Sequence, residues 1–366
     1  MWIGNKGSIF AQRASEIRYC VELIYSISIG ANLTQTTPIE IGSKFVYFTI
    51  ILNRISGIMM DIKSLIRQAE DNPNSFTFRL IAESYQSGTN GAPQSDEQAL
   101  HWYTKASNAM DRVSMYQVGI YHYLGLVVPK SISKAVSLWE MSSELGYSHA
   151  QFNMGACYYK GVGVEQSYEK ALKYFTLSAN SGNATAQYQL GKMYREGIGT
   201  KSSVDNASVW FKTAAENGDV ESQYIIGSYY HEGFGVEKCD TTAFKWMSKA
   251  ANHGHLESIK SIGHMFEYGI GIDKCYKKAF ERYLQAAKLG DAESQNIVAV
   301  YLFDGVHIEQ STEDCIHWLN CAASNGCIEA QFNLSTMYER GIGVEISPDK
   351  SLYWFTRAMS HNQARL

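Results

Sequence analysis

Three serine–lysine pairs have the Ser-x-x-Lys spacing of serine acylases, in which the serine is the nucleophile. The pairs are Ser131 with Lys134, Ser167 with Lys170, and Ser347 with Lys350. All three fall at the same position of the repeat described below. Serine is also a good helix N-cap, because its oxygen accepts a backbone N–H that the first turn leaves unpaired. We therefore interpret the serines as N-caps and predict no catalytic residue. A hydrolase acting on a cell-wall or β-lactam-like substrate is the alternative.

Two histidines and a glutamate could together hold a metal ion. They are His231, His264 and Glu267, and Glu267 lies one helical turn from His264 on the same face. The sequence shows no fourth ligand, and histidine is common on polar protein surfaces. The favoured interpretation is therefore a polar surface, and we predict neither a metal nor another cofactor.

The cysteines show no metal-binding or disulfide pattern. There are seven, none in a CxxC spacing. Cys315, Cys321 and Cys327 are six residues apart, which does not place them on one helical face. We expect reduced thiols, which fit a cytoplasmic protein.

The composition narrows the function classes. Hydrophobic residues make up 45% of the chain, so the composition is not that of a disordered protein. The net charge of −4 argues against a general nucleic-acid binder. The most apolar stretch, Phe45–Leu52, is far shorter than the roughly 20 residues that cross a membrane as a helix. We expect no secretory signal and no membrane span.

The candidate serines, lysines, histidines and Glu267 all lie within a 36-residue internal repeat. AQFNMGACYYKGVGV from Ala150 and AQYQLGKMYREGIG from Ala186 share one pattern. Seven units start at residues 114, 150, 186, 222, 258, 294 and 330, and an earlier copy brings the total to eight, from about residue 76. A fixed period of this length is typical of repeat architectures.

Each unit predicts two helices. The first has apolar or small residues at positions 1, 5, 8 and 9, which form one stripe. A Gly-x-Gly turn follows, and a small polar N-cap opens a second, aromatic-containing helix that closes on glycine, with Asn362 as the last of that series. One stripe per helix is buried only when units stack. The fold class is therefore all-α, an α/α superhelical solenoid of about eight helix pairs.

Five first helices contain an internal glycine at one repeat position. They are Gly119, Gly155, Gly191, Gly227 and Gly263. Glycine inside a helix costs about 0.5–1 kcal/mol relative to alanine, so we expect a neighbouring helix to approach closely there. Ala299 and Ser335 at the equivalent position indicate that small size is required.

The pattern resembles the Sel1-like repeat, a relative of the tetratricopeptide repeat. The residues that carry the resemblance are Ala186-Gln187, Leu190-Gly191, Tyr194, Gly197, Gly199, Ala207, Ala214-Ala215 and Gly218. The resemblance covers about residues 76–366. It implies an adaptor: similar proteins, many of them bacterial, assemble complexes, bind secretion or virulence factors, or neutralise toxins. Some secreted members carry a disulfide in every repeat and have been assigned a β-lactamase-like activity, and this sequence lacks that regular cysteine pair.

The resemblance also implies a concave groove lined by positions 3, 7, 10 and 11 of the first helices. The predicted partner-binding residues are Tyr116, Ile120, Tyr123, Phe152, Tyr159, Tyr188, Lys192, Arg195, Tyr224, His231 and His264. Exposed aromatic residues with arginine are typical of binding hot spots. Alternatively, the position-3 residues are half-buried between helices, since tyrosine often buries its ring. Tyr123 and Tyr159, at position 10, are less constrained by packing.

Residues 1–75 lie outside the repeat region, which we place at 76–366. Two amphipathic helices are predicted there, from Ser8 to about Ala31 and from Ser43 to about Asp71. We interpret them as a cap over the first repeat, which solenoids need. A separate small binding or dimerisation element is the alternative.

Together these observations predict a cytoplasmic, non-enzymatic interaction protein. Its groove would bind a protein partner such as a toxin, an effector or a complex subunit, with an immunity protein and a secretion or virulence scaffold as the two narrower readings. The sequence leaves open a homodimer through the terminal helices.

Overall fold

The structure, a computed structural model, describes residues 61–305 and 307–363. These residues form seventeen α-helices joined by turns and loops, with no strand among them. The predicted all-α fold is confirmed. The first helix, α1 (Ile62–Asp71), begins after Asp61, whose side chain accepts a hydrogen bond from the Ser64 N–H. No helix within these described ranges is long and apolar enough to span a membrane.

The other sixteen helices form eight consecutive pairs. The first helices of the pairs are α2 (Ser75–Ser87), α4 (Arg112–Leu124), α6 (Ser148–Lys160), α8 (Ala184–Glu196), α10 (Val220–Glu232), α12 (Leu256–Tyr268), α14 (Ala292–Asp304) and α16 (Ile328–Arg340). The second helices are α3 (Asp96–Asn108), α5 (Ile132–Glu144), α7 (Tyr168–Asn180), α9 (Val204–Glu216), α11 (Asp240–Asn252), α13 (Tyr276–Lys288), α15 (Thr312–Ser324) and α17 (Pro348–Gln363). The predicted helix pairs of an α-solenoid are confirmed.

The chain divides into two compact units, residues 1–177 and 178–366. In the first unit, Leu65 of α1 is buried with Ile81 and Tyr103 of the first pair. In the second unit, Phe211 and Ile226 belong to one buried cluster and the helices after them to a second, larger one. α1 covers the last ten residues of the helix predicted from Ser43 to about Asp71, but the prediction of one continuous helix is wrong, because Asp61 has an extended backbone and caps the start of α1. The remainder of the predicted cap lies outside the described residues, and the boundary at residue 75 stays a prediction.

Serine caps open most of the second helices. Ser95, Ser131, Ser203 and Ser311 each accept a hydrogen bond from the backbone N–H three residues later. Ser167 and Ser347 accept the same bond from Lys170 and Lys350, at 3.3 and 3.4 Å. The interpretation of the Ser-x-x-Lys serines as N-caps is therefore confirmed. Cys239 and Cys275 stand at this position in α11 and α13 without a side-chain cap bond.

Restoring the missing caps should stabilise the chain. Loss of a Ser cap costs about 1 kcal/mol, so we expect Cys275→Ser to raise the free energy of unfolding by about 0.5–1 kcal/mol. Ser203→Cys, the reverse change in α9, should lower it by a similar amount. Urea unfolding followed by circular dichroism measures both. Equal midpoints for the two variants would contradict the role of this position.

The glycines inside the first helices make room for a large side chain twenty residues later. A Cβ atom on Gly155 would lie 2.7 Å from Cδ1 of Phe175, and one on Gly191 would lie 2.6 Å from Cε1 of Phe211. Trp139, Met247 and Tyr283 crowd Gly119, Gly227 and Gly263 in the same way. The predicted close approach is confirmed.

The second glycine of each turn adopts the left-handed conformation, but two repeats lack it. Gly163, Gly199, Gly235, Gly271 and Gly343 have φ between +60° and +71°. Val127 and His307 occupy the same position with φ of +63° and +64°. A β-branched residue in this region is a strained outlier.

The last helix, α17, continues through Asn362, so the prediction that Asn362 ends the helix is wrong. Asparagine tolerates the left-handed conformation without requiring it.

Relieving the strain at Val127 should stabilise the first unit. The left-handed conformation costs an L-residue about 1–2 kcal/mol, and Val127 is 49% exposed, so glycine loses little packing. We expect Val127→Gly to raise the free energy of unfolding by about 1 kcal/mol. Val162→Gly is the control, because Val162 lies in the next turn outside the left-handed region. It should destabilise, and a loss of stability in both variants would argue against strain at Val127.

Candidate partner-binding surface

The predicted partner-binding residues lie on the first helices, where most are half-buried and Arg195 and His264 are exposed. In the first unit, Tyr116, Ile120 and Tyr123 of α4 are half-buried against the core around Trp139 of α5. The Tyr123 and Trp139 ring centroids are 5.3 Å apart, and the Trp139 indole N–H donates to the Tyr116 carbonyl at 3.2 Å. The tyrosines therefore combine a packed ring with a partly exposed face.

Two residues that the sequence pattern did not single out extend this aromatic surface. Tyr147, the N-cap of α6, meets the Tyr116 ring edge-on at 5.2 Å, and His149 stacks on Tyr147 at 5.1 Å. Burial raises the pKa of both Tyr116 and Tyr147. The available signal was a tyrosine at an N-cap position where four other repeats carry aspartate or asparagine.

The predicted residues of α6 are also held by aromatic neighbours. Phe152 packs on Phe175 at 5.5 Å, and the ring of Tyr159 meets that of Tyr168 edge-on at 5.3 Å. Both Phe152 and Tyr159 are half-buried. The first unit therefore contains partly exposed aromatic rings that are held in place by contacts with the aromatic rings of the following helix.

In the second unit, α8 adds cations to the aromatic pattern. The Lys192 ammonium lies 5.7 Å from the Tyr188 ring centre, and the Arg195 guanidinium lies 5.7 Å from that of Phe211. Both are within cation–π distance. The Arg195 side chain is 40% exposed and pairs with Glu196 at 3.1 Å. Arg195 therefore resembles a hot-spot arginine, because its guanidinium lies over an aromatic ring and its side chain is partly exposed.

The remaining predicted residues have their own partners. Tyr224 lies against the imidazole of His255 at 4.8 Å, and His231 Nδ1 lies 2.6 Å from Asp240 Oδ1. His264 is exposed and its ring packs on Tyr268 at 4.4 Å.

The three residues considered for a metal do not share a ligand geometry. The Glu267 carboxylate accepts hydrogen bonds from the hydroxyls of Tyr283 and Tyr301, at 2.9 and 3.0 Å. Burial, reinforced by this carboxylate, raises the pKa of both tyrosines. Across the described part of the chain, no group of three or more His, Cys, Asp or Glu side chains is suited to a metal.

His231 and His264 do share a cavity of about 340 Å³ in the second unit, here called the α12 cavity. Its lining residues are His231, Met247, Glu257, Lys260, Ser261, His264, Met265, Ile270, Tyr283, Glu293 and Ile297. Lys260 at its edge is 2.7 Å from Glu293, 3.4 Å from Asp291 and 3.8 Å from Glu257. The sequence signal for this cluster was a lysine at position 3, where the preceding repeats carry aromatic residues.

The six described cysteines are free: Cys157, Cys239, Cys275, Cys315, Cys321 and Cys327. Burial raises the pKa of the Cys157 and Cys315 thiols to about 11. These two thiols therefore remain protonated near neutral pH and behave as small apolar core side chains.

Comparison with known protein families identifies the repeats and their boundaries. The Sel1 repeat family model matches eight segments, at residues 79–109, 112–147, 148–183, 184–219, 220–255, 259–291, 292–327 and 328–362. No curated protein matches the sequence.

Among the solved structures that are similar to this chain are two Sel1-type proteins. One is c5321, a protective antigen of uropathogenic Escherichia coli strains with an SLR fold; it is 26% identical, with a TM-score of 0.77 over 82% of this chain. This chain spans 64% of the antigen's length. The other is a Sel1 repeat protein from Oxalobacter formigenes, 30% identical, with a TM-score of 0.54 over 67% of this chain and 96% of that protein.

Proposed function

Because the chain belongs to the Sel1 repeat family, we propose that it is a non-enzymatic interaction protein that binds a protein partner along its first helices. The main observation behind this proposal is a set of aromatic and cationic side chains at equivalent positions of these helices. They are partly exposed, and they pack on aromatic residues of the second helices. Such residues dominate the binding energy of protein interfaces. Helical repeats also present extended surfaces that suit a protein segment or a small domain.

The partner is a toxin, an effector or a complex subunit, and the protein acts in the cytoplasm. The absence of catalysis is supported by the three Ser-x-x-Lys serines, whose hydroxyls accept helix N–H groups. An assay for β-lactam and cell-wall hydrolysis should therefore find no activity that Ser167→Ala abolishes.

The proposal is tested by identifying the partner and then measuring its affinity for surface variants. Affinity capture followed by mass spectrometry from the native host supplies the partner. Tyr159→Ala and Arg195→Ala should each weaken its binding by at least tenfold, which corresponds to about 1.4 kcal/mol. Isothermal titration calorimetry with the purified partner measures the change.

Lys212→Ala on the second helix α9 is the control, because Lys212 is exposed and lies on the other helix of its pair. Its affinity should match that of the unmodified chain. A partner that loses affinity through Lys212→Ala, and not through the two first-helix variants, binds elsewhere and overturns the proposed surface.

A further inference from the structure

The α12 cavity is lined by both apolar and charged side chains. Met247, Met265 and Ile297 supply apolar lining, and Tyr283 adds an aromatic ring. Its volume of about 340 Å³ is at the low end of the range for ligand pockets. A cavity of this size and lining suits one or two apolar side chains.

Carboxylates outnumber lysine and arginine side chains in the lining of the cavity and next to it. Lys260 is the one lysine or arginine in the lining, and three carboxylates surround it: Glu257, Asp291 and Glu293. The Glu257 and Glu293 side chains are 54% and 69% exposed, so both reach solvent beside the cavity. A ligand that enters here meets carboxylates that Lys260 alone does not neutralise.

The excess of acidic residues begins at α10. The first helices α10, α12, α14 and α16 each contain two acidic residues, whereas α4 and α6 contain none and α8 contains one beside Lys192 and Arg195. The glutamates at one repeat position, Glu221, Glu257, Glu293 and Glu329, are all exposed. Charge complementarity along these helices therefore favours a basic segment.

We propose that the α12 cavity receives an apolar side chain from a basic segment of the protein partner, whose flanking lysine or arginine residues pair with Glu257 and Glu293. This inference rests on the proposed function and names the chemistry of the partner at this part of the surface. Burial of the apolar side chain supplies affinity. The exposed ion pairs contribute specificity and weaken as salt is added.

Three fluorescein-labelled twelve-residue peptides test this chemistry on the full chain by fluorescence anisotropy. One alternates leucine and lysine, the second leucine and glutamate, and the third serine and lysine. We expect saturable binding of the leucine–lysine peptide and at least tenfold weaker binding of the other two. No saturable binding of the leucine–lysine peptide up to about 1 mM overturns the inference. So does equal binding of either control peptide.

Matched variants locate the binding site. Ser261→Trp fills the cavity and should weaken the leucine–lysine peptide at least tenfold, whereas Gln189→Trp, at the equivalent repeat position outside the cavity, should not. Glu257→Gln should weaken it about threefold, as expected for an exposed ion pair, and Glu329→Gln should leave it unchanged. Unchanged binding to Ser261→Trp overturns the assignment, provided that circular dichroism shows the variant to be folded.

The two proposals fail differently. If partner binding depends on Tyr159 and Arg195 while the peptide results above are negative, the inference about the α12 cavity is wrong and the proposed function stands. If Tyr159→Ala and Arg195→Ala leave the affinity for the partner unchanged, the proposed surface is wrong, whatever the peptides show.

Discussion

Gly271→Ala is expected to lower the free energy of unfolding by about 2–4 kcal/mol. Gly271 has φ of +67°, where a Cβ atom costs about 1–2 kcal/mol. A Cβ atom would also overlap the Asp240 carbonyl group and lie 2.8 Å from the Thr241 backbone nitrogen. Overpacking of this kind costs about 1–3 kcal/mol, and backbone atoms cannot move aside by changing rotamer.

Gly254→Ala separates these two causes. Gly254 has φ of +82°, but a Cβ atom at this position would meet nothing within 4 Å beyond its own chain neighbours. This variant should therefore lose only the conformational contribution, about 1 kcal/mol. Urea unfolding of both variants gives the difference, and equal losses would show that the contact with α11 is unimportant.

The repeat explains why so much of the fold was predictable from the sequence. A cap serine, a closing glycine or a helix-internal glycine that recurs every 36 residues has one structural cause in every copy. Ser203 and Ser311 cap their helices with the same bond, so one interpretation covers many positions. Departures were not predictable in this way: at Val127 and His307 the chain adopts the glycine conformation without the glycine.

The surface was less predictable, because a repeat position fixes where a residue lies but not what surrounds it. Tyr123 and Arg195 share position 10 and contact the equivalent position of the next helix, but that position holds Trp139 in one repeat and Phe211 in the other. The contacts of Lys260 depend on Asp291 and Glu293, more than thirty residues later. Such neighbours come from other helices, and the sequence pattern of one helix does not reveal them.

Gly191→Ala is expected to lower the free energy of unfolding by about 1–2 kcal/mol, although alanine is the better helix former. The helical preference favours alanine by about 0.5–1 kcal/mol. However, the new Cβ atom would lie 2.6 Å from Phe211 Cε1 in a buried cluster, and overpacking costs about 1–3 kcal/mol. Another repeat of the chain carries alanine at this position without such a clash. There Ala299 of α14 faces Leu319 of α15 instead of an aromatic ring, and both residues are buried.

The double variant Gly191→Ala with Phe211→Leu copies that natural pair. Leucine removes the ring edge that the new Cβ meets, so the two substitutions should be coupled by at least about 1 kcal/mol in favour of the double variant. A double-mutant cycle in urea measures this coupling. Additive losses would show that alanine is excluded for a reason other than the ring. Because the Phe211 ring also lies beneath Arg195, the packing that requires glycine in α8 is the same packing that supports the proposed hot-spot arginine.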